Sequence, residues 1–178
     1  MIAVLVILVF ASFFFVPILI GIKKGKGIKR ENEEAQRKAE ENLKNQGFSI
    51  EKCIGISAKL YVDNTHKLWA VKEWNTDTDV RIHRFSELTD FELIENGERL
   101  AYGGVGKTLV RKPVTMNNRA AYLVVKVNTN DSEHPQYLIQ FIKDFSLSKS
   151  SADYKKFFAS AQEAIDALDC IATSAAEN

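Results

Sequence analysis

Between Ile2 and Ile22 the chain carries no Asp, Glu, Lys or Arg. A helix of these 21 residues covers roughly 30 Å, the thickness of a bilayer's hydrocarbon core, so the run predicts a transmembrane anchor over residues 1–22. A cleaved signal peptide needs a basic stretch before its apolar core and small residues at a cleavage site. Only Met1 precedes this run. Behind it stand Lys23, Lys24, Lys26, Lys29 and Arg30 without an acidic residue among them. By the positive-inside rule that flank stays in the cytoplasm. The expected topology is single-pass in the inner (plasma) membrane, with the N-terminus outside, residues 2–22 in the bilayer and the rest of the chain cytoplasmic.

Charge narrows the classes further. Lys and Arg number 24 against 23 Asp and Glu, so neither a strongly basic nucleic-acid binder nor an acidic disordered chain is expected. The near-neutral total is itself composite: the flank at 23–30 contributes five cations, while residues 48–178 hold 16 basic against 18 acidic side chains.

From Glu31 to Gln46 there is no Gly or Pro, and Glu33 with Arg37, Glu34 with Lys38 and Glu40 with Lys44 are spaced i, i+4 in the favourable order. This predicts a helix that stops at Gly47. Its only apolar line, Ala35, Ala39 and Leu43, is too thin for a coiled-coil seam, so residues 23–47 read as a basic flank followed by a solvated polar spacer. After Gly47 the periodicity turns to alternation. Lys59–Asp63 and Lys67–Trp74 flank a turn at Asn64–His66, and Asn96–Gly97 is a strong hairpin signal after Leu88–Glu95. With runs near Val80–Phe85, Glu98–Tyr102, Leu109–Lys112, Ala120–Thr129 and Gln136–Ile142, about seven strands are expected. Ser150 and Asp153 resemble a capping box. Beyond them Tyr154, Phe157, Phe158, Ala161, Ile165, Leu168 and Ile171 recur at helical steps and give one broad apolar face.

The run Leu60-Tyr61-Val62-Asp63, the stretch Phe85 to Leu93 with Asn96-Gly97-Glu98, the glycines of Gly103 to Gly106 and the closing helix behind Tyr154 resemble the PH-like domain of small bacterial and prophage single-pass membrane proteins. The resemblance implies an α+β domain over residues 48–173: a bent antiparallel sheet or barrel of about seven strands, closed by a C-terminal amphipathic helix. Residues 174–178 would be a disordered tail. It also implies a membrane-tethered, non-enzymatic interaction module whose partner is another protein or a second copy. In similar proteins the glycine-rich insertion is often longer than it is here.

Gly103-Gly104-Val105-Gly106-Lys107-Thr108 superficially matches a phosphate loop. The full pattern needs Gly where Ala101 stands and a helix after the Lys, whereas Leu109-Val110-Arg111-Lys112-Pro113 follows. Nucleotide binding there is the remotest of the alternatives. His66, His83 and His134 share no metal-ligand spacing with each other or with Cys53 and Cys170. The cysteines are expected as reduced thiols, with Cys170 packing on the last helix. Glu87, Asp90 and Glu92 fit turn and strand chemistry. Catalytic, metal and cofactor residues are therefore expected to be absent. Lys107, Arg111, Lys112 and Arg119 form the one local basic patch, able to meet an acidic partner or, as the second alternative, anionic lipid headgroups.

Overall fold

A computed structural model describes residues 31–73, 80–113, 117–143 and 145–177. The chain divides into two compact units, Met1–Lys38 and Ala39–Asn178. In the first, the described residues are helical and Lys38 pairs with Glu34 at 3.2 Å on the exposed surface. The helix, α1, runs over residues 31–45. It ends in a Schellman turn: Phe48 N donates to Leu43 O at 3.0 Å, Gly47 N donates to Lys44 O at 3.0 Å, and Gly47 adopts φ +82°. That turn folds Phe48 back over Leu43. Ala39 and Leu43 are fully buried with Phe48, Tyr61, Ala70 and Val80 in a small second core.

The second unit is an α+β fold of open antiparallel sheets. β1 (Lys52–Ile54), β2 (Lys59–Asp63), β3 (Leu68–Lys72) and β4 (Ile82–Arg84) form a meander in sequence order. A 3-10 turn, Phe85–Glu87, leads to β5 (Leu88–Glu95). β6 (Glu98–Gly104), β7 (Lys107–Arg111), β9 (Leu123–Thr129) and β10 (Gln136–Ile142) join it in a five-stranded sheet ordered β10-β9-β5-β6-β7. β8 (Arg119–Ala120) pairs with β11 (Leu147–Ser148) alone. Helix α2 (Ala152–Ala176) starts at Ser151, whose side chain accepts from Tyr154 N, and lays Ala161, Ile165, Leu168 and Ile171 on the five-stranded sheet. The main core joins these residues to Leu93, Val125 and Ile139 and to Leu60, Val62 and Trp69 of the meander.

The Asn96–Gly97 hairpin forms as expected, both residues at positive φ (+50° and +87°). Asn96 also works at longer range. Its Oδ1 accepts from the backbone of Ala121 and Tyr122 at 2.9 and 3.1 Å, and its Nδ2 donates to Arg119 O at 2.9 Å, fastening the β8–β9 connection to the hairpin.

Several expectations are corrected. The fold is not the single bent sheet or barrel of about seven strands that was expected: the described residues hold eleven strands in sheets of four, five and two, and the sheets are open. Closure fails because the edges end in other ways. β1 and β4 are three residues long, and on β10 the Leu138 N–H is taken at 2.8 Å by the Glu73 carboxylate instead of a strand. Nor does the structure supply the transmembrane helix. Among the described residues no helix is long and apolar enough to cross a membrane, since α1 and α2 both carry repeated charges. The run Ile2–Ile22 and the flank Lys23, Lys24, Lys26, Lys29 and Arg30 lie outside the described residues. The polar spacer is not wholly solvated either. β2 is apolar on both faces, Leu60 and Val62 toward the main core and Tyr61 away from it, so its second face needs the cover that Ala39, Leu43 and Phe48 provide.

Asp63, fully buried at the end of β2, ties these layers together. Burial alone would raise its carboxyl. Hydrogen bonds from His66 N (2.9 Å) and Ser49 N (2.6 Å), with the His66 ring at 2.7 Å, outweigh that and hold it below the usual carboxylate range. A depressed folded-state pKa contributes stability that is present above the unfolded value, about 4, and is lost as pH falls through the folded value. Asp63→Asn should therefore lower the urea midpoint at pH 7, and the two proteins' midpoints should converge as the pH is lowered below about 4. A constant gap down to pH 2 would contradict this role.

Candidate functional site

The Gly103–Gly106 run lies at the end of β6 and in the turn to β7. Its first two glycines are there for packing. A Cβ on Gly103 would stand 2.7 Å from Phe91 Cζ, and one on Gly104 would stand 2.5 Å from Thr89 O and 2.9 Å from Asp90 Cα. β6 thus approaches β5 too closely for any side chain. Gly106 takes φ +70° in the turn, and Val105 N donates to Thr89 O at 3.1 Å. A strand follows Lys107, so the run presents no helix N-terminus to a phosphate.

Beside this hairpin a groove of about 430 Å³ opens between β7 and the C-terminal half of α2. Gly106, Lys107 and Leu109 form one wall, and Asp169, Ala172 and Ala176 form the other. β7 is the last strand of its sheet, and most of it is exposed. The pairing β6–β7 matches Tyr102 with Val110 and Gly104 with Lys107, which places an extra residue in β7 as a bulge. The two faces of the sheet can be told apart by register. Asp90, Glu92, Tyr102, Lys126 and Asn128 lie on the outer face, where Glu92 pairs with Lys126 at 3.4 Å and Arg99 stacks over Tyr102 at 4.3 Å. Val110, opposite Tyr102, shares that face and is 38% exposed. Arg111, opposite buried Ala101, lies on the inner face and forms an ion pair with Asp166 of α2.

The four basic residues singled out by the sequence do not make one patch. Lys107, Arg111 and Lys112 fall on or beside β7, whereas Arg119 belongs to β8 and gives its guanidinium to Ser146 Oγ and O, both at 3.0 Å. Lys107 is 61% exposed and only 3.9 Å from Asp90.

The sequence missed a buried polar network. His83, 1% exposed, sits with Nδ1 2.8 Å from Glu87 Oε2 and Nε2 2.7 Å from Tyr137 Oη. One proton arrangement satisfies all three groups: Nδ1–H donates to Glu87 and the Tyr137 hydroxyl donates to Nε2. Trp69 stacks on His83 at 4.8 Å, and His134 stacks on Tyr137 at 6.1 Å. The order hydroxyl, imidazole, carboxylate is that of a catalytic relay. The environment works against one, because burial, with Asp131 nearby, pushes the Tyr137 hydroxyl up to about 12. The network joins β4 and the 3-10 turn to β10, that is, one sheet to the other. No local sequence signal could have found it, since Tyr137 lies 54 residues from His83.

Among the described residues no His, Cys, Asp and Glu group has the makings of a metal site. Cys53 and Cys170 are free thiols, and both are exposed, so Cys170 does not pack into the core. Although the Cys53 residue is exposed, neighbouring atoms take part of the water from its thiol and push it up despite Lys59 nearby, which lowers its reactivity at neutral pH.

If Gly103 serves packing, Gly103→Ala should cost about 1–3 kcal/mol in urea unfolding, and Phe91→Leu in the same chain should recover part of that loss. An unchanged midpoint for Gly103→Ala would contradict the assignment. Comparison with protein-family models, with curated proteins and with solved structures finds no match to this chain.

Proposed function

We propose that the chain is a non-enzymatic interaction module that binds an extended segment of another protein as an added strand along β7. The observation that carries this reading is the direction of the β7 backbone. Ala101 pairs with Arg111, so Leu100 stands opposite Lys112, and Lys112 N donates to Leu100 O at 2.7 Å. Hydrogen-bonded and non-hydrogen-bonded pairs alternate in an antiparallel ladder. Val110 and Lys112 therefore turn their backbone groups toward β6, and Arg111 between them turns its N–H and C=O away from the sheet. Among the described residues no strand meets them. Main-chain hydrogen bonds to such an edge supply affinity, and alternate side chains of the added strand supply specificity. The groove beside α2 has room for those that point inward.

A headgroup-binding reading draws less support, because Arg111 and Arg119 spend their guanidinium groups on Asp166 and Ser146. Nucleotide binding at Gly103–Thr108 draws less still, for want of a helix behind the loop. An enzymatic reading would need an activated nucleophile, and the closest arrangement to one, Tyr137 with His83, is buried and shifted the wrong way.

Selection of a random-peptide display library on the full chain tests the proposal with two variants. Arg111→Pro deletes the outward donor while sparing the bonds to β6, as proline does on an edge strand. Arg111→Ala keeps the donor and removes only the side chain. Peptides enriched on the parent chain should lose at least tenfold in affinity to Arg111→Pro and remain within about threefold on Arg111→Ala. Failure to enrich any peptide, or equal binding to the parent and to Arg111→Pro, would count against strand addition.

A further inference from the structure

The charges along β7 narrow what kind of strand can add to it. We infer that the occupant is an acidic, extended segment of another protein. Its carboxylate lies on the outer face opposite Lys107, a β-branched apolar residue covers Val110, and uncharged residues face α2. This rests on the strand-addition reading above.

The self-pairing alternative runs against the charges. Antiparallel pairing of two β7 strands centred on Arg111 sets two guanidinium groups side by side. Like charges directly opposite each other destabilise a strand pair. Basic side chains on an exposed edge are a known guard against edge-to-edge association. Lys107, 61% exposed on the outer face, favours an acidic strand.

The two faces then place its side chains. On the outer face Lys107 has, among the described residues, one distant carboxylate, Asp90 at 3.9 Å, and Asp90 is already held by Asn128 Nδ2 at 2.6 Å. A carboxylate on the added strand meets an ammonium with coordination to spare. Next to it Val110 is one of two large apolar side chains exposed among the described residues, and a β-branched neighbour on the same face would cover it. The inner face is different. There Arg111 is satisfied by Asp166, and the helix wall offers Asp169 beside Ala172 and Ala176. An acidic side chain pointing inward would meet those carboxylates. Inward positions are therefore uncharged.

A charge-reversal experiment decides the matter. The probes are two fluorescein-labelled heptapeptides, Ala-Glu-Ala-Val-Ala-Val-Ala and Ala-Lys-Ala-Val-Ala-Val-Ala, titrated by anisotropy against the full chain and its Lys107→Glu and Arg111→Pro variants. The Glu peptide should bind the parent chain about tenfold more tightly than the Lys peptide, and Lys107→Glu should reverse the order. Both preferences should weaken in high salt. Equal binding of the two peptides, still abolished by Arg111→Pro, would overturn the acidic-partner inference and leave strand addition standing. No binding by either peptide, or binding that survives Arg111→Pro, would overturn both. Lys107 is a surface residue whose one ion pair among the described residues is the 3.9 Å contact, so Lys107→Glu should fold, which equal urea midpoints would verify.

Discussion

The apolar face of α2 cannot remain in water. The helix is 25 residues long and buries Tyr154, Ile165, Leu168 and Ile171 among others. Each large side chain of this kind contributes roughly 1.5–3 kcal/mol when removed from water, a sum comparable to the whole stability of an ordinary domain. The five-stranded sheet is the surface that receives it. β5 and β6 lie beneath the helix, and where they pair, Gly103 and Gly104 stand where a side chain would strike Phe91 or the β5 backbone.

Buried polar groups then pin the apolar layers in place. Glu95, 1% exposed at the end of β5, takes an ion pair from Lys149 and a 2.7 Å hydrogen bond from Tyr154 Oη at the start of α2. The His83–Glu87–Tyr137 chain does the same between the meander and β10. Such clusters add little net energy when complete and cost much when one member is lost, so they select one packing among several that the apolar residues alone would accept. The open edge of β7 contrasts with both. Among the described residues no strand pairs with its outer side, and a groove lies beside it.

Much of the strand pattern was legible. Asn96–Gly97 marked its hairpin because few other dipeptides tolerate two positive φ angles, and the spacing of Tyr154 to Ile171 marked a helix with one buried face. Gly47 marked the end of α1. The glycine run was read correctly as lacking a phosphate-loop context, but its reason for being, close approach to Phe91, belongs to a neighbouring strand and leaves no trace in local spacing. The basic residues illustrate the opposite error. Lys107, Arg111, Lys112 and Arg119 are near one another in sequence, and the structure sends Arg119 to a separate two-stranded sheet while turning Arg111 inward. The candidate site was thus half visible: the residues of β7 were named, and the groove beside them was not.

What the sequence determines by itself is local in its physics: where the chain turns, which stretches alternate, where a helix with one apolar face must begin and end. These depend on φ preferences, capping and periodicity within a few residues. The tertiary structure decided the rest. It chose which strands meet, so that several open sheets replaced the expected single bent sheet or barrel, and it buried Ala39 and Leu43, which looked like part of a solvated helix, because β2 needed cover on its second face. It also decided which edge stays unpaired. The physical reason is common to all three: burial and pairing are properties of surfaces that form only when residues far apart in the chain come together.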